Sequence, residues 1–283
     1  MDIKQATKYI KESLKGIYPA TEIEAFTKII FSDVFNINAI EFYTHKDKKL
    51  SEHQIETLKN IIGRLLKHEP LQYIIGFTEF YDLKFEVNSN VLIPRQETEE
   101  LVDLIIKKSD NNETFKILDI GTGSGCIALS LKNSLPKSTV TACDFSDEAL
   151  EMAKLNAKIN NLDLEFLEID ILNEDVTNSL GKFDLIVSNP PYVRELEKEM
   201  MSENVLDYEP EMALFVDDND PLIYYNAITN FALNHLKKGG RLYFEINEFL
   251  GKEMKNLLLQ SGFKDVIVYK DLNNKDRMTS ARL

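Results

Sequence analysis

The stretch Lys116-Ile117-Leu118-Asp119-Ile120-Gly121-Thr122-Gly123-Ser124-Gly125-Cys126 joins a short apolar run to three alternating glycines, and an apolar helix-like segment follows at 127–131. A strand that ends in a glycine loop and continues as a helix is the opening unit of an α/β domain. Glycines there let the backbone turn sharply and approach a ligand closely. A dinucleotide fingerprint needs glycine or alanine at position 126, where cysteine stands. A P-loop needs Lys-Ser/Thr after the last glycine, where Cys126-Ile127 follow. Asp119 would also be a poor neighbour for a polyanion. S-adenosylmethionine suits the loop better, because it has no phosphate, carries a sulfonium and an ammonium, and tolerates carboxylates.

Outward from this loop, apolar runs at 116–120, 139–143, 164–168, 183–188, 241–246 and 266–269 alternate with helical segments. That alternation predicts a largely parallel sheet, with ligands bound at the carboxyl ends of its strands. The rule selects three carboxylates. Asp119 is expected at the amino-acid end of the cofactor, Asp144 at the ribose hydroxyls, and Asp170, with Ile171 beside it, at the adenine edge.

The run Phe183-Asp184-Leu185-Ile186-Val187-Ser188 leads directly into Asn189-Pro190-Pro191-Tyr192. Two prolines cannot continue a sheet, so they fix a rigid exit where a substrate should lie. The Asn189 side-chain carbonyl and the Pro190 main-chain carbonyl can both accept from one NH2 group. Tyr192 offers a flat face to a planar amide or base. Such a motif suits methyl transfer to a planar nitrogen. Its lone pair is delocalised, and accepting both N–H bonds orients it and stabilises the developing charge.

Residues 2–70 follow helical grammar. Ile3, Ala6, Ile10 and Leu14 recur at helical spacing, as do Ile23, Phe26, Ile30 and Val34. Capping boxes are expected at Thr21-x-x-Glu24 and Ser51-x-x-Gln54, and the third helix should stop near Glu69-Pro70. The aromatic and β-branched stretch from Phe77 to Val91, with a turn at Asn88-Ser89-Asn90, predicts a hairpin. The expected organisation is a helical substrate-recognition domain over 1–75, a linking β-hairpin over 76–95 and a catalytic domain over 96–283.

Composition narrows the partners. The net charge is −14; residues 1–90 hold 12 basic and 13 acidic side chains, against 21 and 34 in residues 91–283. The acidity therefore sits with the chemistry, which disfavours duplex DNA as substrate. No signal peptide or membrane span is visible, and Cys126 and Cys143 make no framework, so a reducing cytoplasm is expected. No His/Cys pair has metal-ligand spacing, and no metal is expected. Both cysteines are read as space-filling.

Four stretches resemble the protein-(glutamine-N5) methyltransferases that modify class-1 peptide chain release factors. They are Glu69-Pro70-Leu71-Gln72-Tyr73-Ile74-Ile75-Gly76 with Glu79-Phe80-Tyr81, Val91 to Glu99 with Ile93-Pro94-Arg95, Asn189 to Tyr192, and Tyr208-Glu209-Pro210 with Ala213-Leu214. Together they span roughly 69–283. The resemblance implies a class I S-adenosylmethionine-dependent methyltransferase, a Rossmann-like α/β fold with a mostly parallel seven-stranded sheet behind an N-terminal helical bundle. It implies that Gly121, Thr122, Gly123, Ser124, Gly125 and Asp144 bind the cofactor, bordered by Pro94, Arg95, Glu97 and Asn189. It implies that Asn189 and the Pro190 carbonyl hold the glutamine of a Gly-Gly-Gln tripeptide, with Pro191 and Tyr192 beside it. Partners would be the release factors, with no direct nucleic acid or membrane contact and a monomeric enzyme. Asp82, Gln96 and Asn247 depart from the family pattern and place local loop shapes in doubt. An adenine-N6 methyltransferase is the chief rival, because the same motif suits any planar NH2 nitrogen. The net charge, the lack of a visible target-recognition domain and the stretches at 69–76 and 91–99 favour a protein substrate.

Overall fold

The computed structural model describes residues 1–110, 113–173 and 180–283. They form two compact units, one of residues 1–76 with 202–208, the other of residues 77–201 with 209–283.

The first unit is helical: α1 (Ile3–Leu14), α2 (Ala20–Ile29), which runs into a π-turn at Ile30–Val34, α3 (Ala39–Thr44), α4 (Glu52–Leu65) and α5 (Leu71–Ile75). Its core is the set of stripes that helical spacing dictates, with Ile3, Ala6, Ile10 and Leu14 from α1 against Leu58, Ile61, Ile62 and Leu65 from α4. The Ser51 hydroxyl accepts from the Gln54 amide while the Gln54 side chain accepts from the Ser51 amide, closing the expected capping box. Asp2 and Gln5 form a second box that the apolar spacing alone did not reveal. The box expected at Thr21 is absent. Pro19, with φ −57°, occupies the capping position, so α2 begins at Ala20 and Thr21 lies inside its first turn. The helix expected to run to Glu69 ends at Leu65, and Pro70 instead opens the short α5.

In the second unit, β1 (Phe77–Phe80) and β2 (Leu83–Glu86) pair antiparallel. Their reversal is at Tyr81-Asp82, both at positive φ (46° and 63°), a two-residue turn that matches strand twist. Asp82 tolerates the left-handed conformation that glycine would otherwise supply. The turn expected at Asn88–Asn90 exists but lies after β2, closed by the Val91 amide on the Asn88 carbonyl at 3.1 Å.

The remaining elements alternate. They are α6 (Gln96–Lys108), β3 (Lys116–Ile120), α7 (Cys126–Ser134), β4 (Thr139–Asp144), α8 (Asp147–Ile159), β5 (Glu165–Glu168), β6 (Phe183–Ser188), β7 (Val193–Arg194), α9 (Glu203–Tyr208, part of the helical unit), β8 (Phe215–Val216), α10 (Ile223–His235), β9 (Leu236–Glu245), α11 (Gly251–Gln260), β10 (Lys264–Lys270) and β11 (Asp276–Arg282). Seven strands form one sheet in the order β10-β11-β9-β6-β3-β4-β5, and β11 alone runs against the rest. The expected mostly parallel seven-stranded sheet is thus present. β11 escaped the sequence reading because its buried residues, Met278, Thr279, Ser280 and Ala281, are mostly small or polar and show no apolar alternation.

Strand alternation sorts the sheet into two faces. Ile117, Leu185, Val187 and Tyr243 pack with Leu101, Val102 and Ile105 of α6 and with α7. Leu118, Ile120, Ile186, Leu242 and Phe244 pack with Tyr225 and Ile228 of α10 and Met254 and Leu258 of α11. The register aligns Ile120, Ser188 and Phe244 across β3, β6 and β9. Asn189, the residue after β6, and Glu245, the last of β9, therefore emerge side by side on the face that α6 covers.

Candidate active site

A cavity of about 340 Å³ opens at the carboxyl ends of β3, β4 and β6. Gly121, Thr122, Gly123, Ser124, Asp144, Asp170, Ile171, Asn189, Pro190 and Pro191 all line it. Pro94, Arg95 and Thr98 contribute from the segment entering α6. Of the expected site residues, Asp119, Gly125, Glu97 and Tyr192 are not among those lining it.

The loop after β3 explains the division. Gly121, Gly123 and Gly125 all take positive φ (71°, 54° and 83°). A Cβ at Gly125 would sit 3.1 Å from Leu129 Cδ1 and 3.2 Å from Ala153 Cβ, so this glycine lets α8 approach the loop. Buried Asn156 of α8 locks the same contact. Its side chain donates to the Ser124 and Glu86 carbonyls, each at 3.0 Å, and accepts from the Glu86 amide at 2.7 Å, tying the hairpin to the glycine loop. No spacing in the sequence marks Asn156 for this role.

Asp144 accepts from the Gly123 amide at 2.8 Å and from the Ser146 amide at 3.1 Å. Burial raises its pKa in spite of those donors, and a carboxylate keeps further lone pairs for a ligand. Asp119 sits behind the loop, with no solvent exposure. The Thr122 hydroxyl donates to its Oδ2 at 2.7 Å, while its Oδ1 has no hydrogen-bond partner among the described residues. Burial pushes its carboxyl up to about 7. Asp170, at the rim, accepts from the Leu172 amide at 2.9 Å. Among the described residues the only basic side chain lining the cavity is Arg95, and it is ion-paired to Glu209. A cationic ligand without phosphates fits such a lining. Cys126 and Cys143 are buried and their thiols are pushed up by burial, Cys126 to about 12, which suits packing rather than reactivity.

The Asn189–Tyr192 segment is held from below. Glu245, 1% exposed, accepts from the Thr98 hydroxyl at Oε2 (2.6 Å) and from the Tyr192 hydroxyl at Oε1 (2.9 Å). Burial raises the Glu245 pKa, opposed by those two donors and by the charge of Arg277. The Asn189 side-chain NH2 donates to Thr98 Oγ1 at 3.3 Å. Asn247 donates to the Tyr192 carbonyl at 3.0 Å and to the Glu197 carboxylate, fixing the chain beyond the prolines. Asn247, expected to perturb a loop, instead clamps the motif. The Tyr192 hydroxyl donates to Glu245, which anchors the end of the motif.

Arg95 and Glu209 join the two loops that wall the cavity, and Glu209 also accepts from the Ile93 amide at 3.3 Å. Sequence reading placed Arg95 at the border of the cofactor site but gave Glu209, Thr98 and Glu245 no role. The one local signal was a carboxylate closing the apolar run Leu242-Tyr243-Phe244-Glu245-Ile246.

Comparison with known proteins places this geometry. Residues 5–76 match the family model described as PrmC N-terminal domain, and residues 95–210 match the methyltransferase small domain. The release factor glutamine methyltransferase of Flavobacterium psychrophilum is 46% identical over 281 residues, covering 98% of each chain. The chain belongs to the release factor glutamine methyltransferase family. The enzyme of that name from Bacteroides thetaiotaomicron is also 46% identical, over 99% of each chain, and that from Lactococcus lactis is 40% identical over 90% of this chain and 93% of its own. Among solved structures, a methyltransferase from Pyrococcus furiosus aligns with a TM-score of 0.51 at 19% identity, over 82% of this chain and 98% of its own. A 16S rRNA methyltransferase from T. thermophilus, in complex with AdoMet and guanosine, gives 0.53 at 16%, over 73% of this chain and 49% of its own. At those identities the structures report the fold, which is class I. This family member is a methyltransferase and S-adenosylmethionine is its cofactor. Among the described residues no helix is long and apolar enough to cross a membrane.

Proposed function

We propose that the chain transfers a methyl group from S-adenosylmethionine to the side-chain amide nitrogen, N5, of the glutamine in the Gly-Gly-Gln motif of class-1 peptide chain release factors, supporting translation termination. The observation that carries this reading is the orientation of Asn189. Its NH2 is used internally on Thr98, so its carbonyl is the atom left for a substrate NH2 at the cavity wall. The near-full-length similarity to enzymes named for this reaction supports the same substrate.

When bound, the cofactor would supply an electrophilic methyl carbon on its sulfonium, which the amide nitrogen would take as the C–S electron pair leaves with sulfur, the nitrogen giving up one proton to water. Everything else falls to the chain's own residues. Gly121, Thr122, Gly123 and Ser124 would cradle the donor, and Asp144 would offer its ribose the lone pairs that Gly123 and Ser146 leave free. Asp170 and Ile171 would border its adenine. Asp119 acts from behind the loop, its buried carboxyl favouring a cationic ligand. Asn189 and the Pro190 carbonyl accept both N–H bonds of the glutamine amide, which aims its lone pair and stabilises the charge that develops on nitrogen. Fixing the two reactants in this way can contribute about 7–11 kcal/mol of barrier reduction. Pro191 and Tyr192 hold the motif rigid.

The helical unit is the recognition element for the release factor. The enzyme acts as a cytoplasmic monomer, without direct nucleic acid or membrane contact; the net charge of −14 supports a protein substrate over a polyanion. The test is transfer of labelled methyl to a purified release factor, to the same factor with its Gly-Gly-Gln glutamine changed to alanine, and to mixed-sequence duplex DNA. Label on the unchanged factor alone is expected. Label on DNA with none on protein moves the substrate to adenine.

A further inference from the structure

We infer that Glu245 and Thr98 are positioning residues that set which way the Asn189 amide points, and so make it an acceptor toward the substrate. This rests on the assignment of Asn189 as the residue that holds the substrate amide.

An asparagine side chain can present either its carbonyl or its NH2, and nothing in Asn189-Pro190-Pro191 chooses between them. Turned one way, it accepts from a substrate NH2; turned the other, two donors face each other and binding fails. The choice is made below the cavity. Both oxygens of the Glu245 carboxylate are acceptors, one for the Tyr192 hydroxyl and one for the Thr98 hydroxyl. The single Thr98 proton is therefore spent on Glu245 Oε2. Only lone pairs of Thr98 Oγ1 remain for Asn189, so Asn189 must turn its NH2 inward, at 3.3 Å, and its carbonyl outward.

The fold makes this arrangement rigid. Register places Asn189 and Glu245 one step beyond the paired residues Ser188 and Phe244, on the same face of the sheet. Thr98 lies on the buried stripe of α6 with Leu101, Val102 and Ile105, so helix packing presses its hydroxyl between them. Thr98 and Glu245 are 2% and 1% exposed, so water has little access to rescue a wrong orientation. The hydroxyl, rather than the bulk, of residue 98 does the positioning, and so do the two acceptor oxygens of residue 245.

The test compares Thr98→Val, Thr98→Ser and Glu245→Gln by methyl transfer to a release factor, by S-adenosylmethionine calorimetry, and by the side-chain NH2 resonance of Asn189 in ¹⁵N-labelled protein, identified by its loss in Asn189→Asp. Thr98→Val keeps size and removes the lone-pair acceptor. Its kcat is expected to fall about 10- to 100-fold, with cofactor affinity unchanged and the Asn189 NH2 resonance moved. Thr98→Ser restores both. Glu245→Gln leaves one acceptor oxygen for the two hydroxyls of Thr98 and Tyr192, which frees the Thr98 proton to face Asn189 when that oxygen serves Tyr192, and lowers kcat; it carries the test if Thr98→Val does not fold. Wild-type kcat in Thr98→Val, a Thr98→Ser variant as impaired as Thr98→Val, or an unmoved Asn189 resonance overturns the inference. The resonance is read without substrate. A wild-type enzyme that leaves the release factor unlabelled therefore defeats the proposed function, while the resonance still decides the orientation.

Discussion

Arg95 and Glu209, 114 positions apart, form an ion pair in which the glutamate side chain is almost wholly buried. The same carboxylate accepts from the Ile93 amide, so one side chain fastens the loop before α6 to the loop after α9. Glu209→Ala would leave the Ile93 amide and the Arg95 guanidinium without their acceptor. The expected cost is about 1–3 kcal/mol of unfolding free energy, read by urea titration, together with weaker cofactor binding because both loops wall the cavity. Unchanged stability and affinity would remove the pair from the site's framework.

Removing the substrate acceptor and removing the cofactor acceptor should separate cleanly. Asn189→Ala keeps most of the affinity for S-adenosylmethionine, measured by calorimetry, while turnover falls by about a hundredfold or more. Asp144→Ala loses cofactor affinity first. Parallel loss of both quantities in Asn189→Ala would contradict the division of labour.

What was legible in the sequence was whatever depends on neighbours along the chain. The strand ending at Ile120, the glycine loop, Asp144 at the end of β4 and the double proline after β6 all lie within one local pattern each. The buried stripe of α1 and the Ser51 cap belong to the same class. Relationships across the chain were not legible. Thr98 meets Glu245 over 147 positions and Asn156 meets Glu86 over 70, and nothing local announces either pair. β11 was hidden for another reason: a strand lying between β9 and β10 can bury Thr279 and Ser280 through backbone pairing, with no apolar signature. At Thr21 the local cap pattern was real but lost to Pro19, which begins the helix earlier.

Asn156 gives a stability prediction remote from the chemistry. Asn156→Ala removes one acceptor and two donated bonds from a fully buried site, stranding the Glu86 amide and the Ser124 carbonyl. A loss of roughly 2–4 kcal/mol is expected, since each buried group left unpaired costs about 1–3 kcal/mol. Urea unfolding at neutral pH reads it; a change below 1 kcal/mol would show the link to be incidental.

Asp119 gives the pH dependence. Its folded pKa of about 7 lies above the ordinary 3.8, because burial disfavours the charged form. Its neutral form therefore stabilises the free protein fully below about 3.8, and that contribution is lost as pH rises through about 7. A bound cation favours the carboxylate, so cofactor binding should release protons near neutrality and weaken as pH falls below about 7. Calorimetry in buffers of different ionisation enthalpy measures the release. Asp119→Asn should abolish it, and an unchanged proton count in that variant would assign the linkage elsewhere.

The most direct measurement of the central claim is the chemical form of the transferred methyl. A release factor labelled by this enzyme with S-adenosylmethionine is digested, the Gly-Gly-Gln peptide is isolated and its amide bonds are hydrolysed in acid. Methylation on glutamine N5 predicts that the label leaves as methylamine and that the peptide's glutamine is recovered unlabelled as glutamate. Label that stays on an amino acid after hydrolysis, or that is found in another peptide, would contradict the assignment of Asn189 and Pro190 as the acceptors of a glutamine amide.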